Sequence, residues 1–224
     1  MKNERILTNV AVTLVGAGPV DGAALEAALG FAPRLIAADG GALRLAGLNR
    51  RPEAIIGDLD SLGPREPWLE AGIPVHHIAE QESTDFAKCL RMVEAPLYLA
   101  LGFVGDRLDH FLAALSVLAA MPARRVILIG EGDLCLLAPR EIALDLPRGT
   151  RVSIWPIAPT RVERAEGLVW PAGGLVLEPM GRIGTSNAAR GGRVSLAFAS
   201  RTAFLILPLA ALGTVIAALS TRAD

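Results

Sequence analysis

Cysteine is scarce in this 224-residue sequence: Cys89 and Cys135 are its only two, far apart and in no CxxC pair. That argues against a disulfide framework or a thiolate metal site and points to a reducing compartment, the cytoplasm. Excess charge of either sign is also missing. The formal net charge is −1, which excludes the broad basic face of a nucleic-acid binder. With 52% apolar residues the chain has ample material for a core and is not a disordered segment. There is no GxxxxGK[ST] loop and no Ser-His-Asp arrangement, so neither a P-loop kinase nor a triad hydrolase is expected. Residues 10–15 are apolar but short and run into Gly16-Ala17-Gly18-Pro19, which reads as a first strand and not as a secretory leader. One long apolar run remains, residues 203–219. Pro208 divides it into a strand and a short docked helix, so no membrane span is expected.

Along the first half, apolar runs alternate with helical patterns. Strands are expected at 10–15, 34–38, 53–56, 74–78, 96–103 and 125–129, and helices at 21–29, 42–46, from Ser83, and at 107–120. This alternation predicts βαβ units and a mainly parallel sheet. Near Gly130-Glu131-Gly132 the rhythm changes to short strands separated by turn signals such as Pro147-Arg148-Gly149 and Arg190-Gly191-Gly192. The expected organisation is an α/β domain over residues 1–131 and a small antiparallel β-sandwich over 132–224.

The chemistry-bearing residues are acids at the expected strand ends: Asp58 and Asp60 in Gly57-Asp58-Leu59-Asp60-Ser61, Asp85 after Ser83-Thr84, and Asp106 and Asp109 around Arg107. Strand ends converge on one rim of such a sheet, where ligands bind. Carboxylates gathered there repel unless a cation lies between them, and hard oxygen donors suit Mg²⁺ carrying a nucleotide phosphate. An extended Asp58-Leu59-Asp60 would present both carboxylates on one face. Alone, the motif is equally a turn whose side chains cap backbone N–H groups. Asp106 and Asp109 share a face at the start of a helix, Arg107 beside them is a phosphate clamp, and Lys88 is a second candidate phosphate contact. This set predicts a phosphoryl-type transferase.

Gly16, Gly18 and Asp39 half-resemble a dinucleotide fingerprint, but the third glycine position holds Asp21, where an acid opposes a pyrophosphate. A nicotinamide-dependent oxidoreductase is therefore the weaker reading. Asp39-Gly40-Gly41 still allows close backbone approach by a nucleotide. His76 and His77, adjacent on a strand, point to opposite faces and do not share a metal. Gly184-Thr185-Ser186-Asn187 reads, on its own residues, as a polar hairpin connection.

Taken in order, Ala38-Asp39-Gly40-Gly41, Gly57-Asp58-Leu59-Asp60-Ser61, Gln81-Glu82-Ser83-Thr84-Asp85-Phe86-Ala87-Lys88-Cys89-Leu90, Gly105-Asp106-Arg107-Leu108-Asp109-His110 and Thr185-Ser186-Asn187 resemble thiamine pyrophosphokinase. The resemblance runs from about Val10 to Leu207. It implies a Rossmann-like ATP-binding domain joined to a thiamine-binding β-sandwich, working as a homodimer. The implied reaction moves the pyrophosphoryl group of ATP to the thiamine hydroxyl, giving thiamine diphosphate and AMP with Mg²⁺. By position, Asp58, Asp60 and Asp85 would hold the metal-nucleotide complex, with Asp39, Gly40, Gly41 and Lys88 by the nucleotide. Arg107 would contact phosphates, and Asp109 would lie near the transferred group. Gln81 and Thr84 would meet thiamine, as would Ser186 and Asn187 contributed by the other subunit. The family's aromatic contact near the last strand would fall to Phe204.

Overall fold

The computed structural model describes residues 4–105 and 107–220. The chain forms two compact units, Met1–Glu131 and Gly132–Asp224. The first contains, in order, β1 (Ile6–Leu7), β2 (Val12–Val15), α1 (Gly22–Phe31), β3 (Arg34–Ala38), α2 (Gly41–Gly47), β4 (Ala54–Gly57), α3 (Glu66–Glu70), β5 (Val75–His77), α4 (Asp85–Met92), β6 (Val93–Glu94), β7 (Tyr98–Leu101), α5 (Leu108–Ala120) and β8 (Val126–Ile129).

Strands β2, β4, β7 and β8 are short, mostly apolar runs with every residue buried. Continuous burial, without alternation, is what a parallel strand covered on both faces requires. The strand order in this unit is β8–β7–β2–β3–β4–β5, every pairing parallel. Order therefore reverses at β2, and the crevice of a parallel sheet opens beyond the strand ends at such a point. Two buried polar side chains fasten helices and loops to this sheet. Thr13 donates to the Ala32 carbonyl at 2.6 Å, fixing the end of α1. The Tyr98 hydroxyl donates to Val93 O at 2.7 Å and accepts from Ala95 N at 2.9 Å.

At the reversal the loops after β2 and β7 touch backbone to backbone. Gly16 N donates to Leu101 O at 2.8 Å and Gly18 N to Gly102 O at 2.9 Å. A Cβ on Gly16 would stand 2.7 Å from Gly102 O, so only glycine permits this approach. Helix α4 is capped by Thr84, whose hydroxyl accepts from Ala87 N at 3.3 Å. Its buried face carries Phe86, Cys89 and Leu90, and Phe86 packs on Phe103 with ring centroids 4.3 Å apart.

The second unit contains β9 (Asp133–Leu137), β10 (Glu141–Leu146), β11 (Arg151–Pro156), β12 (Thr160–Glu166), β13 (Val176–Leu177), β14 (Gly184–Ala188), β15 (Gly192–Phe198), β16 (Ala203–Pro208), a 3₁₀ turn at Leu209–Ala211 and α6 (Leu212–Ser220). Its strands make two antiparallel groups, β14–β11–β16–β9 and β10–β15–β12–β13. In β10, Ile142, Leu144 and Leu146 face inward with more exposed residues between them, the half-buried pattern of such sheets. Helix α6 packs on β10.

Three elements differ from the sequence expectation. Residues Thr185-Ser186-Asn187 lie within strand β14, paired to β11 with a bulge, and do not form a hairpin connection. Their polarity reflects an outer strand. Helix α3 has no buried residue, so no apolar period announced it. The β1–β6 pair is two residues long on each side, too short to show a pattern. The apolar tail does split at Pro208 into β16 and α6, and no described helix is long and apolar enough to cross a membrane.

A Cβ on Gly41 would lie 1.9 Å from Val15 O, a clash with backbone at the centre of the sheet. Gly41→Ala is expected to cost more than about 3 kcal/mol, read as a lower urea midpoint at unchanged m.

Candidate active site: an acidic cluster at the strand ends

Asp39 follows β3 and Asp58 follows β4, neighbouring parallel strands, so topology alone brings them side by side. Carboxylate oxygens of Asp39, Asp58 and Asp60 lie within 4.8 Å of one another. The extended geometry expected for Asp58-Leu59-Asp60 is not what achieves this. Leu59 has φ 71°, so the chain turns sharply, and Asp60 N donates to Asp58 Oδ1 at 3.3 Å. Ser61 follows, its hydroxyl on Asp60 Oδ1 at 2.8 Å and its amide on Asp39 Oδ2 at 3.0 Å. Gly57 makes room, since a Cβ there would sit 2.7 Å from Asp39 Cβ.

Asp39 is 2% exposed and also adopts left-handed backbone, φ 44°. Its Oδ1 is buried with no hydrogen-bond partner. Burial is the main reason its carboxyl is pushed up to about 6; the Ser61 amide opposes the shift and neighbouring Asp60 and Asp85 add to it. An orphaned buried carboxylate oxygen beside two further carboxylates is the donor set a hard divalent cation takes. These residues therefore fit Mg²⁺.

Asp85 stands apart from that triad. Its Oδ1 accepts from Asp58 N at 3.3 Å and from Lys88 Nζ at 3.1 Å. Lys88 Nζ also meets Asp58 Oδ2 at 2.6 Å. Lys88 is 1% exposed, so the ammonium expected at a phosphate is instead enclosed between two carboxylates. Burial opposes ionisation of Asp58, but hydrogen bonds from Lys88, from the Asp60 amide and from Gln81 hold its carboxyl below the usual range. Gln81, expected at the thiamine, thus acts on the Asp58 carboxyl from nearby. Thr84 spends its hydroxyl oxygen on the α4 cap.

Arg107 and Asp109, at the start of α5, pair with each other at 2.7 Å, both largely exposed. Asp106, read as sharing a face with Asp109, lies outside the described residues. Gly40 and Gly41 lead into α2. Asp21 caps α1, its Oδ1 accepting from Ala24 N at 2.8 Å, so the anion site of a dinucleotide fingerprint is already taken by a carboxylate.

The second unit holds a cavity of about 340 Å³ lined by Trp170, Arg182, Thr185, Ser186 and Asn187 among others. The Asn187 side chain is committed inside the protein. Its Oδ1 accepts from Trp170 N at 3.1 Å and Ala188 N at 2.8 Å, and its Nδ2 donates to Trp170 O at 2.8 Å. Ser186 has φ 61° and its amide donates to Ser153 Oγ at 2.9 Å. Phe204 does not reach any such surface. It is fully buried and stacks on Trp155, so the expectation that it contacts ligand is corrected. The exposed aromatic is Trp170, 58% accessible on the cavity wall. Its sequence signal was a tryptophan set directly before the turn Pro171-Ala172-Gly173-Gly174.

Residues 25–129 match the family model of the thiamin pyrophosphokinase catalytic domain. A protein of Oryza sativa subsp. japonica named thiamine pyrophosphokinase 3 is 30% identical over 200 residues, covering 71% of this chain and 75% of its own. The chain belongs to the thiamine pyrophosphokinase family. Its members are kinase-type transferases. Among solved structures, yeast thiamin pyrophosphokinase superposes with a TM-score of 0.77 at 17% identity, over 94% of this chain and 93% of that one. The enzyme from Candida albicans gives 0.74 at 15% identity over 92% of each. At these identities the structures establish the fold of thiamine pyrophosphokinases. The matched catalytic span contains the acidic cluster from Asp39 to Asp85 and the Arg107–Asp109 pair.

A carboxyl whose folded-state value is raised binds its proton more tightly when folded, so stability falls as pH rises through the window between the unfolded and folded values. For Asp39 that window runs from about 4 to about 6. In metal-free protein, Asp39→Asn should flatten the decline in melting temperature across this window and raise it at pH 7. A mutant with the wild-type pH profile would count against the assignment.

Proposed function

We propose that this chain transfers the pyrophosphoryl group of ATP to the hydroxyl of thiamine, forming thiamine diphosphate and AMP. The observation that carries this is the Asp39–Asp58–Asp60 cluster at the strand ends of a chain in this family. The first unit is read as a Rossmann-like ATP-binding domain and the second as a β-sandwich that binds thiamine. Mg²⁺ held by Asp39, Asp58 and Asp60 would neutralise charge on the triphosphate. Asp85, on this reading, supports the set through Asp58 and Lys88.

The thiamine oxygen attacks the β-phosphorus, the bond from that phosphorus to the α,β-bridging oxygen breaks, and AMP departs. Such a transfer depends on alignment and charge stabilisation more than on covalent catalysis. Arg107 supplies a guanidinium to phosphate oxygens once it releases Asp109, and Asp109 is then free to accept the hydroxyl proton late in the transfer. Gly16, Gly18 and Gly41, expected to admit a nucleotide, instead leave room for the backbone of Gly102 and Val15.

For the acceptor, the cavity in the second unit offers Ser186, Thr185 and the indole of Trp170, a wall suited to a flat heteroaromatic cation. The family resemblance supports a homodimer in which Ser186 of one copy completes the thiamine site of the other, with Asn187 behind it holding the Trp170 backbone. Two buried free thiols suit the cytoplasm.

Purified protein given ATP, Mg²⁺ and thiamine should release AMP, with thiamine diphosphate in equal amount. Release of ADP, or no product, would overturn the reading. Asp58→Asn should lower kcat at least about 100-fold with the circular dichroism spectrum retained. Trp170→Ala should raise KM for thiamine about tenfold with little change in KM for ATP. An unchanged thiamine KM would remove Trp170 from the site.

A further inference from the structure

Among the described residues, the most enclosed charge in the first unit is an ammonium that the transfer chemistry does not use. Lys88 sits on α4 one turn after Asp85, its Nζ 2.6 Å from Asp58 Oδ2 and 3.1 Å from Asp85 Oδ1. At 1% exposure it is enclosed by protein. A lysine that binds phosphate must present its protons to solvent or ligand. This one directs them at two carboxylates that come from different segments, the loop after β4 and the first residue of α4.

We infer that Lys88 is a positioning residue, an internal counter-ion that stands in for cation charge between Asp58 and Asp85 and so decides which carboxylate oxygens are left for the metal-nucleotide complex. The inference rests on the metal reading given above. Four carboxylates, Asp39, Asp58, Asp60 and Asp85, meet here with this single ammonium enclosed among them. Lys88 takes Oδ2 of Asp58, while Oδ1 lies toward Asp60, where it accepts the Asp60 amide. The two oxygens of Asp58 are thereby assigned, one to the protein and one to the triad. Asp85 Oδ1 receives both Lys88 and the Asp58 amide, so the same ammonium ties the start of α4 to the end of β4. The metal set contracts from the expected Asp58, Asp60 and Asp85 to Asp39, Asp58 and Asp60, with Asp85 balanced from within.

This role has consequences that neither a phosphate contact nor simple packing shares. Removing the ammonium leaves Asp58 and Asp85 without a counter-charge, and a divalent cation is then the natural replacement. Lys88→Met should melt at lower temperature without metal and recover most of the loss in Mg²⁺. Nucleotide-free Lys88→Met should bind Mn²⁺, followed by electron paramagnetic resonance, at least threefold more tightly than wild type. Its KM for ATP should move less than threefold, while the Mg²⁺ concentration for half-maximal kcat shifts. Lys88→Arg, which keeps the charge, should restore part of the metal-free stability. Mn²⁺ binding that is unchanged or weaker, or a melting loss that Mg²⁺ does not reverse, would overturn the inference. So would a tenfold rise in KM for ATP with kcat intact, the mark of a direct phosphate contact. Should Lys88→Met not fold without metal, Lys88→Met/Asp85→Asn has one carboxylate charge fewer and should fold and keep the tighter Mn²⁺ binding. Failure of that double variant to fold in Mg²⁺ would also overturn it. Thiamine enters none of the metal and melting readouts, so loss of the proposed reaction and loss of this inference are separable results.

Discussion

Like charges forced into a small volume set the terms for the rest of the first unit. Two unit charges 4 Å apart interact by about 4 kcal/mol near a protein surface, and more as water is excluded. Asp39, Asp58 and Asp60 are closer to one another than 5 Å is wide, with Asp85 adjoining. The protein answers locally with one enclosed ammonium and with amides from Ser61, Asp60 and Asp58 itself turned toward carboxylate oxygens. It leaves Asp39 Oδ1 unanswered. That imbalance is the one the proposed cation would relieve, and through it metal binding would be linked to fold stability.

Backbone conformation is spent on the same end. Asp39 and Leu59 are non-glycine residues in the left-handed region, each at a cost of roughly 1 kcal/mol. Both sit at the mouths of β3 and β4, where a rigid parallel ladder can hold them against relaxation. The glycines do the complementary job. Gly57 yields space to Asp39, and Gly16 and Gly102 let two loops meet without side chains between them. The sheet thus acts less as a container than as a clamp on a few unfavourable residues.

Elements whose burial leaves a period or a continuous apolar run were readable from sequence. β2, β3, β7, β8 and α5 fall where the residue pattern put them, within a few positions at their ends. The polar strand β14 was not, because an outer strand can be hydrophilic on both faces and looks like a turn. In the site, the acids were legible because carboxylates at strand ends are unusual on electrostatic grounds. Their division was not. That Asp39 lies with Asp58 and Asp60 while Asp85 pairs with Lys88 depends on where a lysine ammonium lands in three dimensions, and spacing along α4 leaves that open. Phe204 and Trp170 show the same limit from the other side. A residue's place in a strand does not say which face is covered, and Phe204 proved to be core.

Asn187 extends this point to how recognition is built. A polar residue beside a cavity invites the reading that it touches ligand, yet its amide is turned onto both backbone groups of Trp170. An asparagine side chain offers two donors and an oxygen with two lone pairs, and three bonds are already made within the protein. What it supplies is a fixed backbone at Trp170, from which the exposed indole projects, so that less chain must be ordered when a ligand binds. A large aromatic surface held in advance gains more from stacking than a flexible one. A conservative Asn→Asp change would withdraw the donor to Trp170 O and loosen that wall without altering the cavity's size. On the proposed reading, contact with the ligand and control of the contact would belong to different residues, Trp170 and Asn187, just as Asp58 and Lys88 would divide those tasks at the acidic cluster.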